Sequence, residues 1–173
     1  MRGMKAGAKA LRANAKKLNN GGAHWAKGAF RRVTGSGETK EVSWCYVGGL
    51  HNVLFGKEME MDITRFKRPA YVAAIRASAL VIGGMQYRSA LRKYEKAQTD
   101  EKYRARLLKF QFSYAETIVP GQPRVRIYLT LDEWFTQACE SVIFQFNDAS
   151  SRKWAQVEAK MIEAADGLEA QAA

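Results

Sequence analysis

Gly48 and Gly49 stand side by side in a stretch that otherwise reads as an apolar helix, Trp44-Cys45-Tyr46-Val47-Gly48-Gly49-Leu50 and on to Gly56. Val42, Cys45, Tyr46, Gly49, Leu50, Val53 and Leu54 recur at the three-and-four spacing of one helix face, which gives the stretch a wide apolar stripe. Each glycine costs a helix about 1 kcal/mol relative to alanine, so a pair is expected only where another element's backbone comes very close. The spacing therefore predicts a central helix with a tightly packed neighbour.

Around it the chain reads as mostly helical. Met4, Ala8, Leu11, Ala15 and Leu18 share one face of a basic amphipathic helix within residues 1–22, ended by Asn19-Asn20-Gly21-Gly22. Its apolar stripe is thin, so loose docking, or ordering on an acidic partner, is expected. Trp25 is expected at the core edge, and Thr34-Gly35-Ser36-Gly37 as a flexible turn. Pro69 suits a helix's first turn, and Tyr71 to about Lys96 keeps helical spacing with a bend at Gly83-Gly84. Thr99 is expected to cap a helix running to about Lys109. Beyond it two periods compete: Tyr103, Leu107, Phe110, Tyr114 and Ile118 are helically spaced, while Leu108, Phe110, Phe112 and Tyr114 alternate as a strand would. Val125, Ile127 and Leu129 alternate after a Pro120-Gly121-Gln122-Pro123 turn, which predicts a small hairpin ending near Leu129. Thr130-Leu131-Asp132-Glu133 is a capping box opening a helix with Leu131, Trp134, Phe135, Ala138, Val142 and Phe146 inward. Asn147-Asp148-Ala149-Ser150-Ser151 is expected to break that helix and cap a last one, whose face is Trp154, Val157, Met161, Ala164 and Leu168.

At 173 residues one buried core fits and two do not. The expected fold is a mainly α, single-domain helical bundle with a small β-hairpin before the last two helices. Two cysteines, Cys45 and Cys139, lie on apolar helix faces and are expected as buried free thiols. No signal peptide follows the basic N-terminus, and the longest apolar run, Ala77 to Gly84, is too short for a bilayer span, so a cytoplasmic protein is expected.

Charge is the feature with functional pull. The net charge is +11, and nine basic residues from Arg2 to Arg32 precede the first acidic one, Glu38. From Arg65 to Lys109 twelve basic side chains face only Glu95, Asp100 and Glu101. Such a field attracts nucleic acid, an anionic membrane surface or an acidic protein. Lys5, Lys9, Arg12 and Lys16 line the first helix; Arg88, Arg92 and Lys96 line one later helical edge, and Lys102, Arg106 and Lys109 another. If these edges merge they form a stripe able to track phosphates, with Tyr87, Tyr94 and Tyr103 available for stacking. No base-reading signature accompanies them.

No phosphate-binding glycine loop, zinc spacing or nucleophile elbow is present, and no cofactor or metal is expected. The sharpest enzymatic alternative is a cysteine-dependent hydrolase: Cys45 as nucleophile, His24 or His51 as base, Asn147 or Asp148 orienting it. Cys45 lies on the apolar stripe, so a core thiol is the preferred reading.

Trp25-x-x-Gly28, Trp44-Cys45-x-x-Gly48-Gly49-Leu50 and Phe146-Asn147-Asp148-Ala149, with Arg152, Val157 and Ala164 following, resemble an uncharacterised family of small helical proteins common in actinobacteria and their phages. That family looks like W-x-x-G, W-C-x-x-G-A-L and N-D-x-x-x-R with a closing helix; Gly49 stands where its alanine is usual. The resemblance covers roughly 5–56 and 131–170, which makes 57–129 look like an insertion within a 23–56 plus 130–170 scaffold. It implies a phage or bacterial intracellular origin and no activity. The resulting expectation is a non-enzymatic protein that binds an acidic partner, nucleic acid foremost, through its basic surface. The alternative is a phage–host or virion protein-interaction factor.

Overall fold

In the computed structural model, residues 1–19, 24–28, 31–35, 41–56, 63–109 and 129–173 are described. Their elements, in order, are α1 (Arg2–Leu18), β1 (Arg31–Thr34), β2 (Glu41–Trp44), α2 (Tyr46–Phe55), a 3-10 turn (Ile63–Lys67), α3 (Pro69–Ile82), α4 (Gly84–Thr99), α5 (Glu101–Lys109), α6 (Leu131–Asp148) and α7 (Trp154–Ala172). The mainly α expectation is met, with an antiparallel hairpin ahead of the last two helices. That hairpin lies earlier in the chain than expected. The stretch 110–128, where alternation predicted one, is outside the described residues.

The hairpin forms where sequence reading began the central helix. Val42 and Trp44 sit on β2, with Val33 opposite Val42 and Arg31 opposite Trp44. Cys45 stays extended, and its Sγ accepts from the Gly48 N–H at 3.3 Å, so the thiol serves as N-cap and α2 starts only at Tyr46. Gly56, at φ 66°, ends it in the left-handed region.

α1 is not loosely docked. Ala8, Leu11, Ala15 and Leu18 are all almost completely buried, and α1 packs along α3 and α7 and against α2. Its stripe is thin because the approach is close. A Cβ added at Gly7 would lie 2.9 Å from the Ala70 carbonyl oxygen, so the absent side chain is what lets α1 reach the α3 backbone. The glycine pair in α2 has the same logic with a different occupant. Asn14 of α1 is fully buried; its Nδ2 donates to the Tyr46 carbonyl at 2.9 Å, and its Oδ1 occupies the space a Gly49 Cβ would need.

α3 is the helix at the centre. Tyr71, Ala74, Ile75 and Ala79 are fully buried against α1, α6 and α7, so part of the stretch 57–129 supplies core. Burying a side chain the size of Ile75 stabilises by roughly 1.5–3 kcal/mol, and the small Ala74 and Ala79 add less each. The expected bend at Gly83-Gly84 is a full break: both residues have positive φ, 64° and 87°, and separate helices result.

α6 opens on the predicted capping box, Glu133 N–H donating to Thr130 Oγ1 at 3.3 Å and Thr130 N–H to Glu133 Oε2 at 2.8 Å. It runs on through Asp148, so Asn147 is inside it rather than capping α7. α7 begins at Trp154, where the Lys153 N–H donates to Gln156 Oε1 at 3.0 Å. Among the described residues no helix is long and apolar enough to cross a membrane.

Candidate nucleic-acid interface

α4 shows how a basic ridge can be held on a rigid base. Ala90 and Ala97 are buried and Tyr87, Leu91 and Tyr94 half-buried, with α6 as the main neighbour. Four-residue spacing then puts Arg88, Arg92 and Lys96 on a common exposed edge. The underside is fastened by one cluster. The Tyr94 ring stacks on Phe135 with centroids 4.4 Å apart, and its hydroxyl donates to Asp132 Oδ1 at 2.8 Å. Arg76 of α3 donates to the same carboxylate oxygen at 2.9 Å and to Thr136 Oγ1 at 3.0 Å, its guanidinium 5.2 Å from the Phe135 centroid. The hydrogen bonds from Tyr94 and then Arg76 hold the Asp132 carboxyl below the usual range.

α5 follows α4 after a one-residue joint. Asp100, expected inside the helix after a Thr99 cap, is itself the cap: its Oδ1 accepts from the Tyr103 N–H at 2.8 Å. Lys96 of α4 lies over the Tyr103 ring, 4.6 Å from the centroid, and ties the two helices together. Lys102, Arg106 and Lys109 are exposed on α5. Among the described residues, of the eight cations from Arg88 to Lys109 only Arg104 lies within ion-pair distance of a carboxylate, Glu101 at 3.9 Å.

The four α1 cations are placed differently. Lys5, Lys9 and Lys16 are exposed, but Arg12 is held by α7: its Nε donates to Glu169 Oε1 at 3.0 Å, and its terminal nitrogen to Glu169 Oε2 at 2.8 Å and Asp166 Oδ1 at 2.6 Å. Asn19 donates to Glu158 Oε1 at 2.8 Å on the same helix pair. α7 carries Glu158, Glu163, Asp166 and Glu169 against Lys160 alone, so the basic first helix lies along an acidic one. The two predicted sets thus have different surroundings: α1 rests on α2, α3 and α7, whereas α4 rests on α6 and α5.

Both thiols are buried. Cys45 is buried at the α2 N-cap, and burial pushes its thiol up to about 12; burial does the same to Cys139. His51 packs on Phe55, ring centroids 4.3 Å apart, and edge-on to Tyr71. Burial first, then the Arg65 charge, pulls its pKa down to about 4. Asn147 and Asp148 bind the chain instead. Asn147 Oδ1 accepts from Trp25 Nε1 at 2.7 Å and from the Tyr46 N–H at 3.3 Å, and its Nδ2 donates to the Ala26 carbonyl at 3.1 Å; Asp148 Oδ1 accepts from the Gly28 N–H at 2.9 Å. Trp25, Gly28, Trp44, Asn147 and Asp148, scattered in sequence, therefore meet in a single fastening of residues 24–28 onto β2 and the end of α6. Among the described residues no three His, Cys, Asp or Glu side chains are grouped as a metal site would need.

His51 makes stability pH-dependent. Its value near 4 in the folded chain lies below the ordinary 6.5, so between about pH 6.5 and 4 the unfolded chain takes up a proton that the folded chain refuses. Stability contributed by neutral His51 is complete above 6.5 and falls by about 1–3 kcal/mol across that window. Urea midpoints at pH 7, 5.5 and 4.5 check this; His51→Phe should flatten the decline, and an equal decline in both proteins would show that other groups cause it.

No protein-family model matches the chain, and neither curated proteins nor solved structures include a significant match to it.

Proposed function

We propose that the protein binds an acidic partner, nucleic acid foremost, through the exposed ridge of α4 and α5. The observation that carries this reading is the unanswered charge of that ridge: between Gly84 and Lys109 eight basic side chains stand with three acidic ones, and seven of the eight, all but Arg104, make no ion pair among the described residues. A field of this kind concentrates polyanions. The first helix, whose Arg12 is engaged by Asp166 and Glu169, takes a lesser part.

Binding to random-sequence nucleic acid should be measured over salt concentration. With six phosphate contacts the logarithm of affinity falls with a slope of about −5 against the logarithm of salt, roughly a thousand-fold between 50 and 200 mM. Reversing Arg88, Arg92 and Lys96 to Glu abolishes binding, whereas reversing Lys5 and Lys9 leaves most of it. No binding at low salt, or equal loss from both variants, refutes the reading. A second reading, an acidic protein partner from a phage host or virion, is favoured by one observation: Leu80 and Met85, at 53% and 79% exposure, flank the α3–α4 break beside the ridge. Capture from lysate that survives nuclease treatment and is lost in Met85→Ser would favour that reading.

A further inference from the structure

Which nucleic acid the ridge suits depends on its tyrosines, and this step rests on the reading just proposed. The sequence offers Tyr87, Tyr94 and Tyr103 among the cations as stacking platforms, yet each ring has other work. Tyr94 is stacked on Phe135 and its hydroxyl is bound to Asp132; Tyr87 packs against the same Phe135 at 6.4 Å; Tyr103 has Lys96 over its face. All three are at least partly buried. The rings serve to hold the helices, and what the ridge presents outward is ammonium and guanidinium groups. Those on α4 stand four residues apart on a 16-residue helix, so successive charges are about 6 Å apart along its axis.

We infer that the ridge of α4 and α5 grips double-helical nucleic acid by its phosphates alone, without reading bases. Proteins that take single strands without sequence preference combine a basic track with aromatic faces on which unstacked bases rest. Among the described residues the ridge's tyrosines are engaged in holding the helices, so there a single strand contributes mainly its phosphates, and its sparser charge releases fewer counterions than a duplex does. A duplex keeps its bases stacked internally and shows the ridge a dense, stiff row of phosphates. Such contacts set position and carry no sequence information.

The test uses the full chain and fluorescently labelled 20-mers: an A·T-rich duplex, a G·C-rich duplex, each constituent single strand, and heparin as a polyanion without bases. The expected result is that both duplexes bind within about three-fold of each other and at least about five-fold tighter than either strand, and that heparin competes. Tyr103→Leu should leave duplex affinity within about two-fold, because no base rests on that ring; a base–tyrosine stack would lose on the order of ten-fold or more. Circular dichroism of the variant keeps a folding defect from being read as a binding one. Strands binding as tightly as duplexes, a ten-fold preference between the duplexes, or a ten-fold loss in folded Tyr103→Leu overturns this inference while the ridge remains a polyanion site. Failure to bind any of them, heparin included, removes both.

Discussion

Replacing Glu140 with Leu is expected to destabilise the protein by about 3–5 kcal/mol, out of a total of roughly 5–15 for a domain of this kind. Glu140 on α6 and Arg65 in the 3-10 turn are both about 95% buried, and they meet through two parallel hydrogen bonds, Nε to Oε1 at 2.9 Å and the terminal nitrogen to Oε2 at 3.0 Å. The Tyr71 hydroxyl from α3 donates to the same carboxylate. Burial and the Glu140 charge hold that phenol well above its usual range, so it remains a donor at any physiological pH. Removing the carboxylate takes from the buried guanidinium the charge that Glu140 supplies and from the buried hydroxyl the acceptor it uses. The cost is mainly that of the groups left behind. Arg65→Met combined with Glu140→Leu should therefore recover most of the loss, since a well-packed apolar pair is often as stable as a buried ion pair. Urea unfolding of the single and double variants decides it. A single-variant loss below about 1 kcal/mol would mean that solvent reaches the pair.

Gly49→Ala is expected to cost about 1–3 kcal/mol, although alanine is the better helix former by about 1. A Cβ there would collide with Asn14 Oδ1 and stand 3.2 Å from its Cγ and 3.3 Å from Leu18 Cδ1. Asn14 cannot swing aside cheaply, because its Nδ2 bond to the Tyr46 carbonyl lies in a fully buried site. Asn14→Ala alone loses that bond and costs about 1–2 kcal/mol. In the double variant the clash has gone, so the two losses should fail to add by at least about 1 kcal/mol, measurable as a double-mutant cycle. Simple additivity would show that the two sites do not compete for the same space. Alanine at 49 is thus not a neutral exchange in this chain: glycine at 49 and asparagine at 14 form a matched pair.

Several elements were legible from residue pattern alone because their determinants are local. The Thr130–Glu133 box, Pro69 at the start of α3 and the inward face Val157, Met161, Ala164 and Leu168 all follow from capping chemistry or helical spacing. The start of α2 was misplaced by the same spacing, since Val42 and Trp44 suit a two-residue period equally well and only pairing with Arg31–Thr34 chooses between the periods. Asn147 and Asp148 read as a helix cap because short polar residues near a helix end usually are one. Their partners, Trp25, Ala26, Gly28 and Tyr46, are more than a hundred positions away.

The candidate interface divides in the same manner. The exposed edges of α4 and α5 are read from four-residue spacing, and the structure keeps them outward. That Arg12 belongs to Asp166 and Glu169, and that Tyr94 is bound to Phe135 and Asp132, needed the packing of α1 on α7 and of α4 on α6. Glu140 left a trace, a lone charge amid Ala138, Cys139, Val142 and Ile143, but its partner Arg65 lies 75 positions earlier.

By itself the sequence determined which segments become helices, which of their faces are apolar and where positive charge is in surplus, because backbone preference and side-chain periodicity act over a few residues. Only the tertiary structure decided which cations are answered by carboxylates, which aromatic rings are spent on packing and why residue 49 has no side chain. Those outcomes depend on contacts across distances in the chain that no local pattern records.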